Sequence, residues 1–407
     1  MSMNNQMSRL KEGAEKVLFE NILPFWIEKC FDKDNNRFYG AVDNFGNPIR
    51  DARISLILYT RILWAFSYLY KMYKEDKYQN LADTAYNYLV GNFIDREYGG
   101  AYWILDKYGR PNVEAKKIYG HAFLIYALSE YYEIKGNDKL LELINNFYSL
   151  IEEKFLDVAD NGYFETFNRD WSKPAEMRIS DRDMEAEKSM NSHLHMMEAY
   201  TNLYRVTRAK SVKSRLINIL ELLQRYIILP SGHLGLFFDS KWDLKSNNIS
   251  FGHDIECSWL LTEAMGVLGS EVYENLRKIS LKLAETTLNS AFNERNSIYR
   301  EQRETGELED DVEWWTQAEA VVGLINAYQL TGDNRYLEKA LLAWDFIESF
   351  LVDWNYGEWF YEVSKDGKPN LKKLKVEEWK GPYHNVRACV NIILRVDKIL
   401  REWRNPK

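Results

Sequence analysis

One pattern recurs along this chain, and its last copy is cut in two by the chain ends. Each copy has an apolar helix, a turn often carrying Gly or Asp, an amphipathic helix, and a short aromatic segment with Gly. The first runs from Arg61 through Tyr78 to Phe93 and closes in Tyr98-Gly99-Gly100-Ala101-Tyr102-Trp103. The second starts near Tyr119 and closes at Gly162-Tyr163-Phe164, and the third starts near Asn191 and closes between Gly232 and Phe237. The fourth starts at His253 and has the weakest closing segment, Ser297-Ile298-Tyr299-Arg300; the fifth runs from Trp314 to Tyr356-Gly357-Glu358-Trp359-Phe360. Successive copies lie roughly 60 to 75 residues apart, longer than the common solenoid periods. The sixth has its first helix at the C-terminus, 382 to about 402, while its second helix and aromatic segment lie at the N-terminus, Leu10 to Phe31 and Arg37-Phe38-Tyr39-Gly40. An open solenoid does not need its first half-repeat to complete its last, because open arrays end in polar caps. A closed ring does. The expected fold is all-α: an (α/α)6 barrel of six inner and six outer helices, one domain over residues 1–407, with short aromatic β-like segments in the loops at one end.

Composition is consistent with that frame and narrows the partners. No Pro/Gly/Ser-rich linker divides the 407 residues, the formal charge is −8, and the 53 basic residues are scattered. No nucleic acid and no anionic membrane is therefore expected as a partner. Met1 to Lys16 is polar and lacks the apolar core of a signal peptide, and no uncharged apolar run is long enough to span a bilayer. A cytoplasmic location is expected, with a monomer as the working state and a weak dimer as its alternative. Cys30, Cys257 and Cys389 are odd in number and widely spaced, which suits neither a complete disulfide framework nor a CxxC knuckle. They are expected to be reduced and mostly buried. No P-loop or GxGxxG after a strand is present, so no nucleotide cofactor is expected. The 13 Trp and 27 Tyr exceed what a core needs and suit stacking on flat ligands or sugars.

Inner helices of such a barrel run in one direction, so their N-termini gather at one mouth. There the sequence places Arg61, Tyr119 with His121, Asn191 with His195, His253 with Glu256, Trp315 with Glu319, and Trp379 with His384. Apolar helices that reserve their first turns for such residues are building a site. In Gly252-His253-Asp254-Ile255-Glu256, Gly252 frees the backbone before the helix, and the carboxylates of Asp254 and Glu256 suit the positive end of the helix dipole. That field disfavours a protonated imidazole, so His253 is expected to stay neutral and able to accept a proton. Pro382 can occupy a first helical position, which puts His384 in the same setting.

The chain has only six histidines, so each is weighed singly. His193 and His195 sit two apart on a helix and point about 200° from each other, so both cannot face one pocket. His195 shares a face with Asn191 and is chosen; His193 is read as packing or support. His233 is read as a loop histidine, and for His121 a mouth-lining role and a packed helix histidine both fit. Of the adjacent Trp314 and Trp315, the second is expected to face the ligand because it shares a face with Glu319. Trp64, Trp259 and Trp344 are read as core. His253 and Glu256 have helical metal-ligand spacing, but without HExxH or paired CxxC no metal is expected.

The residues Tyr59-Thr60-Arg61-Ile62-Leu63-Trp64, Met190-Asn191-Ser192-His193-Leu194-His195, Gly252-His253-Asp254-Ile255-Glu256-Cys257, Trp314-Trp315-Thr316-Gln317-Ala318-Glu319 and Trp379-Lys380-Gly381-Pro382-Tyr383-His384 resemble the cellobiose 2-epimerases, within the N-acylglucosamine 2-epimerase superfamily. The similarity covers essentially the whole chain, and five motifs in one order are specific where any one alone is weak. The resemblance implies an (α/α)6 barrel and cofactor-free epimerisation at C2 of the reducing-end sugar of β-1,4-linked disaccharides. It implies His253 and His384 as the acid/base pair and Arg61 and His195 as ligands of the reacting oxygens. Tyr119, Asn191 and Glu256 match sugar-binding positions, with Trp315 and Trp379 as aromatic walls. Gly381 stands where relatives often carry Cys, and His121 where several carry Gln.

The chemistry asks for such residues. A proton on carbon beside an aldehyde is weakly acidic, so the ring must open and the enediolate needs fixed positive charge or donors, which Arg61 supplies. Inversion then needs two near-neutral bases. The rival readings are an aldose–ketose isomerase or 2-epimerase acting on free mannose, glucose or N-acylglucosamine, and a glycoside hydrolase, which needs two carboxylates flanking a bond. A non-enzymatic helical scaffold gives no reason for histidines at the mouth.

Overall fold

The computed structural model describes residues 3–269 and 274–404. Met1, where the polar N-terminal stretch begins, and the outermost ends of the expected domain lie outside the described residues. The N-terminal outer helix is longer than expected: α1 (Met3–Lys16) continues through a π-helical turn (Val17–Ile22) into α2 (Leu23–Glu28). Five helix pairs follow in order. They are α3 (Leu56–Tyr73) with α4 (Asp76–Asn92), α5 (Ile118–Lys135) with α6 (Asp138–Lys154), and α7 (Met190–Thr207) with α8 (Lys210–Leu222). Then come α9 (Phe251–Leu268) with α10 (Glu274–Ser290), α11 (Trp314–Thr331) with α12 (Asn334–Phe346), and α13 (Tyr383–Arg404) alone at the end.

Why the layers separate is visible in single helices. Every residue of α5 from Ile118 to Tyr131 is buried, whereas α6 buries only Leu140, Ile144, Phe147 and Ile151, one stripe at alternating steps of four and three. A helix apolar all round can live only inside a second layer. The inner helices α3, α5, α7, α9, α11 and α13 each touch the next, and α13 returns to α3 and packs on α1. The ring expected from the split repeat is closed.

A polar lock holds that closure. Buried Glu358 accepts from Trp26 Nε1 at 2.7 Å, Lys380 Nζ at 2.8 Å and Asn385 Nδ2 at 2.5 Å, tying the N-terminal outer helix to the last inner one. Lys11 Nζ reaches Asp397 Oδ1 at 2.7 Å, and Asn21 Nδ2 donates to Asp353 O at 2.8 Å.

At the mouth, the residues entering each inner helix pair antiparallel with the segment that closes the same unit. Ile54–Ser55 pairs with Ile104–Leu105, Lys116–Lys117 with Thr166–Phe167, and Lys188–Ser189 with Phe237–Phe238. Ile249–Ser250 pairs with Glu301–Gln302, and Val312–Glu313 with Glu362–Val363. The weak fourth closing segment keeps the geometry: Ile298 bridges Phe292 as its counterparts do, and Asn296 takes the left-handed backbone (φ 66°) that glycine supplies elsewhere.

Candidate active site

Two registers on the inner helices explain the whole mouth. The fourth residue of each of α3, α5, α7, α9 and α11 turns outward and accepts a backbone N–H from the closing hairpin of the preceding unit. Phe38 N donates to Tyr59 Oη, Ala101 N to His121 Nε2, Tyr163 N to His193 Nε2, Leu234 N to Asp254 Oδ1 and Ile298 N to Gln317 Oε1, at 2.9, 3.1, 3.0, 2.9 and 2.9 Å. In the sixth unit Trp359 N donates to Glu358, which Asn385 bridges. The sixth residue of each inner helix turns inward: Arg61, Phe123, His195, Glu256 and Glu319, with Arg387 in the matching place on α13.

The outward register settles four histidine readings. His121 and His193 are packed, each with Nδ1 on the carbonyl four residues back at 2.7 Å, so His121 does not line the mouth. Burial pushes both down to about 4. His233 pairs through Nδ1 with Asp254 Oδ2 at 2.7 Å, and His195 is the inward member of its pair. Gln317 performs in one unit what His121 performs in another. His121→Gln is therefore expected to leave turnover within about twofold, while His121→Ala orphans the Ala101 N–H and costs about 1–3 kcal/mol of stability, read by denaturant melts.

The inward register opens on a cavity of about 1160 Å³, lined by Arg61, Tyr119, Asn191, His195, His253, Glu256, Trp315, Trp379 and His384 among others. Its rim carries exposed Asp181, Arg303 and Lys372, so the cavity meets solvent. His253 and His384 flank one indole, their ring centroids 4.7 and 5.7 Å from that of Trp315. Both rings thus lie within reach of one sugar. Each pocket imidazole has Nδ1 occupied: His384 on Glu319 Oε1 at 2.7 Å, His195 on Glu198 Oε2 at 2.9 Å, His253 on Ser250 Oγ at 2.6 Å. An ionised carboxylate only accepts, so Nδ1 of His384 and His195 carries the proton and Nε2 is left with its lone pair.

All three imidazoles are held neutral. Burial is the first cause, pushing His253 to about 3 and lowering His195 and His384, with the Arg61 and Arg387 charges adding to it at His195 and His384. This corrects the expectation from the helix dipole: the ring is neutral chiefly because it is enclosed. His253 is only partly covered, and solvent in the cavity offsets part of that penalty.

Arg61 Nη2 donates to Tyr119 Oη at 3.2 Å and Nη1 to the Trp379 carbonyl, and the guanidinium lies over Phe123 and Tyr383 at 4.8 and 5.2 Å. A Cβ at position 381 meets Arg61 Cβ at 3.1 Å, so Gly381 gives this arginine its room. Trp379 packs on Tyr119 with centroids 5.7 Å apart, Trp315 Nε1 donates to Glu313 Oε2 at 2.7 Å, and Trp314 is the buried member of its pair. Residues 179–184 cover one side, moored by Lys117 Nζ on the carbonyls of Arg178 and Ile179 at 3.0 and 2.6 Å.

Glu319 is the correction to the expected binding set. It stands behind His384, accepting also from Trp259 Nε1 at 2.9 Å and Arg387 Nη2 at 2.7 Å, and does not line the cavity. The sequence reading missed Arg387, Glu198 and Tyr383. Arg387 joins Glu256 at 2.6 Å as well as Glu319, and it also contacts Glu198 and Tyr383, whose Oη donates to Glu198 at 2.5 Å. Arg387 lies two residues after Asn385, as each inward residue lies two after the outward one on the other inner helices, so the register finds it although the motif ends at Asn385. Glu256, Glu319 and His384 lie close enough to share a cation, but the Arg387 guanidinium already bonds both carboxylates there.

The model of the N-acylglucosamine 2-epimerase (GlcNAc 2-epimerase) family matches residues 38–388. Cellobiose 2-epimerase of Bacteroides fragilis is 37% identical over 386 residues, spanning 94% of this chain and 98% of that one. The solved cellobiose 2-epimerase from Spirochaeta thermophila superimposes with a TM-score of 0.93 at 35% identity, covering 98% of this chain and 100% of the other. D-mannose isomerase of Marinomonas mediterranea is more distant, 23% identical over 92% of this chain and 95% of its own.

Proposed function

The chain belongs to the N-acylglucosamine 2-epimerase family, and from that premise we propose that it inverts C2 of the reducing-end aldose of β-1,4-linked disaccharides, turning cellobiose into glucosyl-mannose. Mannobiose and lactose fit the same description. The observation that carries the reading is the pair His253 and His384, both beside Trp315 and each with Nδ1 engaged, with the Arg61 charge acting on His384.

The roles assigned are those that the geometry supports. The ring opens, Arg61 and His195 bind the reacting oxygens, and one of His253 and His384 removes the C2 proton. The enediolate so formed is stabilised by the fixed guanidinium and neighbouring donors. The other imidazole, once it has itself taken up a proton on Nε2, returns that proton to the opposite face, either directly or after rotation about C2–C3. Tyr119, Asn191 and Glu256 bind hydroxyls, and Trp315 and Trp379 cover the sugar faces. Among the described residues no helix is long and apolar enough to cross a membrane.

Incubation with cellobiose in deuterated water tests the reading. Glucosyl-mannose carrying deuterium at C2 is expected. A ketose as the main product would move the assignment to an aldose–ketose isomerase like the D-mannose isomerases, and free glucose would point to hydrolysis.

A further inference from the structure

Three carboxylates converge on one guanidinium at the floor of the cavity, and their donors are unequally shared. Glu319 accepts from His384, Trp259 and Arg387, and Glu198 accepts from His195, Tyr383 and Arg387. Glu256 accepts from Arg387 alone, through Oε1, and its Oε2 is buried with no partner. Glu256 Oε1 and Glu319 Oε1 both approach the same Nη2, at 2.6 and 2.7 Å. Carboxylates this close do not both ionise without a further counter-charge. The charges acting on Glu256 are those of Glu198 on α7, Glu319 on α11 and Arg387 on α13, with His384 on α13 within 4.8 Å of it and neutral. One guanidinium shared among three carboxylates leaves too little positive charge, and a proton on one of them relieves the deficit.

We propose, building on the epimerase reading above, that this proton resides on Glu256 Oε2, so that Glu256 is a neutral carboxylic acid in the resting enzyme and a hydrogen-bond donor to the bound sugar. Hydrogen bonds to the charged form favour it, so the proton leaves the two well-served carboxylates for the poorly served one. Burial opposes ionisation at every one of them, but Arg387 and the His195 and Tyr383 bonds bring Glu198 down to about 2; burial raises Glu319, which Arg387 and Trp259 hold back, and burial with the Glu319 charge drives Glu256 well above the ordinary carboxylate range. A buried O–H needs an acceptor, and Oε2 has none in the protein. Glu256 borders the cavity but is fully enclosed in the sugar-free protein, so the acceptor we assign is an oxygen of a ligand packed directly against it. As charge builds on the enediolate, a bond from a fixed neutral acid strengthens, with no proton transfer needed.

Infrared difference spectra of the sugar-free protein in deuterated water test this apart from turnover. Wild type at pH 7 is expected to show a protonated carboxylic acid carbonyl band that disappears in Glu256→Gln. A wild type whose pH difference spectrum shows only ionised carboxylate at pH 7 overturns the proposal. In assays, Glu256→Gln keeps a donor and is expected within about tenfold of wild type, whereas Glu256→Leu loses about 10²–10³. Equal losses in the two overturn the donor role. The band is read without substrate, so a band present in a protein that does not epimerise cellobiose sinks the functional reading alone.

Discussion

His384→Asn and His253→Asn are each expected to lower the turnover of cellobiose epimerisation by about 10²–10⁴, the range that removal of a positioned acid or base spans. Asn preserves much of the surroundings. At 384 its amide can still donate to Glu319, and at 253 it can still meet Ser250 Oγ, so melting temperature and circular dichroism should stay near wild type. What disappears is the Nε2 lone pair. If one imidazole abstracts and the other returns the proton, the two variants differ in a second way: with cellobiose in deuterated water, the variant that keeps the abstracting base still exchanges C2–H without yielding epimer. Near-normal rates in both variants refute the assignment. The pH profile adds a signed expectation. A base works only above its pKa, and because His253 and His384 both lie below the ordinary histidine value, the acid limb of kcat/KM should fall clearly below 6.5. A limb centred near 6.5 would mean that solvent reaches these rings far more than their enclosure indicates.

How much of this was legible depends on which physical rule a residue obeys. The ring was readable because closure leaves a trace in chain order: a half-repeat at each end, which Glu358 now joins through Trp26 and Asn385. The cavity-facing histidines were readable from spacing, since His195 and His193 cannot share a face. The ambiguous His121 was not readable, because an outward acceptor in the fourth helical place looks like an inward ligand until the closing hairpin is seen giving it the Ala101 N–H. Glu319 was assigned to the sugar for a related reason: the i, i+4 step from Trp315 gives its side but not its depth, and the imidazole of His384 lies in front. Arg387 was invisible for the opposite reason. An arginine on a C-terminal helix reads as a surface cation, and only the convergence of α7, α9 and α11 shows that three buried carboxylates are waiting for it.

That convergence sets the largest expected effect on stability. Arg387→Met keeps length and apolar volume but leaves Glu198, Glu256 and Glu319 without their common cation, and breaking a buried pair from one side costs about 3–5 kcal/mol. For a chain of this size the melting temperature should drop by roughly 4–6 °C. The deficit depends on pH in a definite direction. In the wild type Glu198 is held at about 2, below its unfolded value, so its stabilisation is present above that unfolded value and is lost as pH falls toward 2. Without the guanidinium, burial and the neighbouring carboxylates raise Glu198 and Glu319, and folded carboxylates with raised pKa gain relative stability as acid protonates them. Wild type and Arg387→Met should therefore differ most at neutral and alkaline pH and converge below about pH 5. Turnover should suffer as well: a protonated Glu319 donates to Nδ1 of His384, moves the ring proton to Nε2 and removes the lone pair from the cavity. Arg387→Lys restores one charge but fewer bonds, and is expected to recover part of the stability and less of the rate. Melts across pH 4 to 9 in which the two proteins stay separated by the same amount would show that the guanidinium is not what keeps these carboxylates charged.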